Sequence, residues 1–128
     1  MQIKTAVQIS SEMHQHIMEL ADANSASVSA LIRGILRALI ASPEIRDYTF
    51  KERDPDLRKA SLRMKNTLSH QQIVVVDRVI LEGVKEIAKR LGVKTAVVVR
   101  RVLTLYCYFP ESRPLFEESI HQEVYLFR

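Results

Sequence analysis

Ile3-Lys4-Thr5-Ala6-Val7-Gln8-Ile9 alternates strictly between two faces. Ile3, Thr5, Val7 and Ile9 share one face, and Lys4, Ala6 and Gln8 share the other, the period-2 pattern of a half-buried strand. Ser10 and Ser11 follow. A serine side chain accepts from the free N–H groups of a first helical turn, so a helix is expected to begin there. Met13, Ile17, Leu20 and Ala21 form its inward stripe. Asn24 tolerates the left-handed conformation and is the expected helix end, while residues 25–27 supply a turn and a new cap. A second helix points Val28, Leu31, Ile32, Ile35, Leu36 and Leu39 inward. It stops before Pro43, because the residue ahead of proline avoids the α region.

The same plan returns 67 residues later. That offset lays Ala21 on Ala88, Arg33 on Arg100, Leu36 on Leu103 and Pro43-Glu44 on Pro110-Glu111. Apolar positions follow without a gap: Val7 meets Val74, Ile9 meets Val76, Met13 meets Ile80, and Ile17 meets Val84. In the second copy the β-branched run Ile73-Val74-Val75-Val76 favours a strand, and Asp77 is a capping residue. Ile80, Val84, Ile87, Ala88 and Leu91 make the next stripe. Gly92 is a left-handed stop, and a last helix runs from about Thr95 to Phe109. The unit is therefore strand–helix–helix, twice.

One such unit leaves its strand unpaired and its apolar faces open. Two units solve both problems if the strands pair antiparallel and the helices interlock. The expected organisation is 1–44 as the first unit, 45–70 as linker, 71–110 as the second unit and 111–128 as a tail, all one intertwined domain. Within the linker, Lys51-Glu52-Arg53-Asp54-Pro55-Asp56 reads as an exposed loop, and residues 57–69 as an added helix or strand. Leu115, Phe116, Ile120, Val124, Tyr125 and Phe127 suggest that the tail packs back.

Composition narrows the function. The 128 residues are 47% apolar, which suits a globular core and excludes wholesale disorder. The single Cys107 excludes an intramolecular disulfide, no apolar run approaches a membrane span, and no signal-like start is seen. A cytoplasmic protein without membrane attachment is the expectation. The net charge of +4 hides an asymmetry: the first fifty residues carry −1, residues 51–65 carry +3, residues 78–101 carry +5 and residues 111–128 carry −2. A basic second half suits a polyanion, although a solvated face reads the same from charge alone. For an enzyme there is little: His14 and His16 diverge on a helix, His70 and His121 lack partners at ligand spacing, and no phosphate loop or nucleophile elbow occurs. No catalytic residue, metal or cofactor is expected, and Cys107 reads as core.

The alternating strand, the Ser10 cap, the Ile17…Leu20-Ala21 stripe and the Ser27-Val28-Ser29-Ala30-Leu31-Ile32 helix opening resemble the ribbon-helix-helix DNA-binding family, of the MetJ/Arc/CopG type. Two units in one chain are similar to TraY-type accessory proteins of conjugative plasmids, which bind near an origin of transfer and help assemble the relaxosome. The resemblance implies a mostly α fold with a two-stranded antiparallel ribbon, the tandem units forming an intramolecular pseudo-dimer. It implies double-stranded DNA as partner, with relaxosome or other DNA-processing proteins beside it, and further association on DNA. The ribbon would enter the major groove with Lys4, Ala6 and Gln8 on the bases, joined by Gln71, Ile73 and Val75 of the second strand. The second-helix N-termini, Ser27, Val28 and Ser29 and then Lys94, Thr95 and Ala96, would hold phosphates.

Alternatives stay open at this point. Ile73 and Val75 are poor base readers, and a strand buried on both faces would carry them equally well. A rival strand over 62–66 would turn Arg63 and Lys65 outward. Residues 84–103 also resemble a helix-turn-helix with Lys94 to Arg101 as recognition helix. A ribbon-helix-helix repressor or partition protein shares the DNA chemistry, whereas an antitoxin-like interaction module would use the tail to wrap a partner.

Overall fold

β1 (Gln2–Ile9) leads through α1 (Ser11–Ala23) into α2 (Val28–Ala41) in the computed structural model, which describes residues 2–64 and 68–126. A short α3 (Pro43–Asp47), a π-helical turn (Tyr48–Glu52) and α4 (Asp54–Met64) follow. Then come β2 (His70–Asp77), α5 (Arg78–Leu91) and α6 (Thr95–Tyr108). A 3-10 turn (Pro110–Leu115) and α7 (Glu117–Leu126) end the described chain. The fold is mostly helical with one two-stranded antiparallel sheet. None of the described helices is long and apolar enough to cross a membrane.

Local signals recur at the expected offset. α2 and α6 both begin and end 67 residues apart, as do the starts of α1 and α5. Ser10 Oγ accepts from the Met13 amide at 3.0 Å, and Asp77 Oδ1 accepts from the Ile80 amide at 2.9 Å, so the two first helices are capped at matching positions. The left-handed residue also recurs, but one position later than expected in the first copy. Ser25 has φ 53° and Gly92 φ 67°, whereas Asn24 lies at φ −96°. Asn24 instead closes α1 with its side chain, Nδ2 donating to the Leu20 carbonyl at 2.7 Å. A serine in this conformation carries strain that glycine avoids. Ser25→Gly should stabilise the protein by about 1 kcal/mol in denaturant unfolding; a lowered midpoint would show that the serine is unstrained.

α2 and α6 form the centre of the molecule. α2 packs against α1, α5 and α6, while α1 and α5 each contact α6, so the copies interlock. Val7, Ile9, Val74 and Val76 project from the sheet into this core, meeting Met13 and Ile17 of α1 and Ile80 and Val84 of α5. Leu91, expected in the α5 stripe, is exposed, because it sits at the end of the helix beyond its packing partners.

The segment between the copies departs from an open linker. Its 51–56 run faces solvent largely as expected, yet it is helical: it closes the π turn and opens α4, where Pro55 sits in the first turn and disturbs nothing. Ile45, Thr49 and Leu57 are buried, which ties the segment to the core. Because α4 occupies residues 54–64, the rival strand over 62–66 is excluded for 62–64; its Lys65 and Asn66 lie outside the described residues. The tail is a helix whose Phe116 and Ile120 are fully buried, while Phe127 lies outside the described residues.

Candidate nucleic-acid interface

The two strands pair Lys4 with Val75, Ala6 with Ile73 and Gln8 with Gln71. Ala6 and Ile73 are themselves 67 residues apart. The ladder therefore turns about the same pair that the repeat relates, and Lys4 and Gln8 stand opposite the counterparts of each other. Strand alternation puts Lys4, Ala6, Gln8, Gln71 and Ile73 on the open face and leaves Val75 half-buried. The idea of a second strand buried on both faces is thus corrected: Ile73 is 46% exposed, while Gln72, Val74 and Val76 turn inward.

Each strand's outer edge is covered by the second helix of the other copy. Arg33 Nη1 donates to the Val75 carbonyl at 2.8 Å, and Ser29 Oγ accepts from the Val75 amide at 3.4 Å. At the opposite edge Arg100 Nη1 donates to the Gln8 carbonyl at 3.5 Å. Arg33 and Arg100 are offset partners, and so are Gln8 and Val75. An open strand edge leaves polar backbone unpaired, and these contacts satisfy it at Val75 and at Gln8. They also seat the starts of α2 and α6 on the two flanks of the open face.

The helix starts differ in their caps. Ser27 Oγ accepts from the Ala30 amide at 3.0 Å and Ser29 Oγ from the Val75 amide, so both hydroxyl oxygens act as acceptors, and the first-turn main-chain N–H groups of Val28 and Ser29 have no partner within the helix. Lys94 makes no side-chain cap at α6 and is exposed. The arginine pair was missed as functional framework in the sequence. Its one signal was an identical cation at offset positions inside two apolar helices.

Several polar groups elsewhere are engaged structurally. His14 stacks on His70 with ring centroids 3.7 Å apart and its Nδ1 lies 3.1 Å from Gln72 Oε1, while His16 meets the Tyr108 ring edge-on. The Ile80 amide, aided by Arg37, holds the Asp77 carboxyl below its usual range. Burial pushes the Cys107 thiol up to about 12, which suppresses the thiolate a nucleophile needs. α6 is unsuited to lie in a groove as a recognition helix. Of residues 94–101 only Lys94 is exposed, Val98 is buried, and Arg101 pairs with Asp54 of α4.

Comparison with protein-family models, characterised proteins and solved structures returns no match.

Proposed function

We propose that the chain is a tandem ribbon-helix-helix protein whose two units fold as one pseudo-twofold domain and bind double-stranded DNA sequence-specifically in the major groove. The observation that carries this reading is the coincidence of ladder centre and repeat at Ala6–Ile73, beneath an open, mostly polar ribbon face. A two-stranded ribbon fits the major groove, and the side chains suit base edges. Lys4 donates to guanine O6 and N7. Gln8 and Gln71 pair with adenine, and Ala6 and Ile73 meet thymine methyls. The main-chain N–H groups at Ser27, Val28 and Ser29, and at Lys94, Thr95 and Ala96, hold phosphates on either flank and set the register.

The two arms of the ribbon differ, Lys4 with Val75 on one side and Gln8 with Gln71 on the other. The preferred site is therefore non-palindromic, which suits an accessory factor for DNA transfer of the TraY type. A repressor or partition protein would use the same ribbon. An antitoxin-like role is disfavoured because Phe116 and Ile120 of the tail are consumed in the protein's own core.

Selection from a random duplex pool tests the reading. An asymmetric best site is expected, and a perfect palindrome would count against it. Lys4→Ala and Gln8→Ala should each reduce discrimination between best and scrambled sites by about 1–3 kcal/mol. Unchanged discrimination in both would remove the ribbon as reader.

A further inference from the structure

A groove of about 380 Å³ runs between α4 and α6, lined by Arg58, Leu62, Leu68, Val97, Arg100 and Arg101. It opens beside one end of the ribbon: Arg100 reaches the Gln8 carbonyl, and Leu68 lies three residues before Gln71. Two of these three arginines share one carboxylate, Asp54, which lies 2.6 Å from Arg58 and 3.5 Å from Arg101. Arg100 has no carboxylate partner among the described residues, and burial pulls its pKa down. The Arg101 Nε–H finds no acceptor among them either.

The other end of the ribbon has the opposite character. Arg33 and Arg37 hold Glu123 of α7 between them, and Arg37 also pairs with Asp77. Two cations there meet two carboxylates. The offset partner of Arg33 is Arg100, so α7 neutralises on one flank what stands unneutralised on the other.

We infer that the α4–α6 groove is a second DNA-backbone contact, which takes phosphates beyond the Gln8–Gln71 end of the ribbon and makes the footprint lopsided. This rests on the DNA reading above. Partly desolvated arginines gain from a phosphate that replaces lost hydration with charge-assisted hydrogen bonds. Each phosphate neutralised adds to the salt dependence of binding.

The test uses the full chain and a duplex of the best selected sequence with long flanks. Arg58→Gln with Arg100→Gln should lower the slope of log affinity against log salt by about 2, near 0.9 for each phosphate lost. Backbone protection should shorten on one side, with base discrimination intact. Arg58→Gln alone, at an exposed side chain on the rim, should lower the slope by about 1 and guards against misfolding of the double variant. Arg90→Gln on α5, away from the groove, should leave the slope unchanged. An unchanged slope in both groove variants, or protection lost equally from both sides, overturns the groove. If the slope falls but no sequence is preferred by the wild type, the ribbon reading fails and the groove stands. If the wild type shows no salt-dependent binding to any duplex, both fail.

Discussion

Replacing Glu123 by alanine should destabilise the protein by about 3–5 kcal/mol, a large share of the 5–15 kcal/mol typical of a domain. Glu123 is wholly buried and bonds the Nε atoms of both Arg33 and Arg37 of α2. Arg33 is itself buried, at 7% exposure, and also holds the Val75 carbonyl at the edge of β2. Removing the carboxylate takes the Glu123 charge away from a desolvated guanidinium and loosens α7 from α2 in one step. Arg37→Ala should be milder, because Glu123 keeps the buried Arg33 as its partner and Asp77, about one-third exposed, keeps the Ile80 amide and water. Denaturant unfolding with unchanged slope measures both. A loss below about 1 kcal/mol for Glu123→Ala would mean that solvent reaches the cluster, since a buried pair cannot be broken so cheaply.

Gly34→Ala should destabilise by about 3 kcal/mol, reversing the sign expected of glycine to alanine inside a helix. That exchange ordinarily gains about 1 kcal/mol from backbone entropy. Here a Cβ on Gly34 would meet Ile120 Cα of α7 at 2.6 Å, and a backbone atom cannot move aside without lifting its helix. Overpacking of this kind costs more than propensity returns. The clearest reading is thermal unfolding together with protease sensitivity of the tail: a lower Tm and faster cleavage after about residue 110 are expected. A stabilised variant would show that α7 is not docked against α2 in solution.

These two sites explain why part of the molecule was legible in the sequence and part was not. Periodicity identified the inward faces of α1, α2 and α5, since Met13, Ile17, Leu31, Ile35, Ile80 and Val84 are all buried. Caps were equally readable at Ser10, Ser27 and Asp77, because they depend on neighbours three residues away. The open face of the ribbon followed from alternation and the repeat. Arg33 and Gly34, in contrast, sit between the apolar positions of α2, where a single-helix pattern reads solvent. They are buried because α7 lies over them, and the tail's apolar residues suggest packing back without showing which helix they cover. The linker posed the same problem: a charged run looks like a loop until Leu57 and Thr49 find the core.

The sequence by itself determined the units: two strand–helix–helix copies at a spacing of 67 residues, the inward stripes, the caps and the outward strand residues. All of these rest on interactions within about one helical turn or one strand pleat, so the chain carries them locally. Only the tertiary structure decided how the copies differ. Arg33 finds Glu123 ninety residues away, while its counterpart Arg100 finds the Gln8 edge and a basic groove, and Gly34 admits α7 where its counterpart Arg101 meets α4. Such pairings join charges and helix faces across the whole fold, and residue order alone does not fix which charge is brought to which.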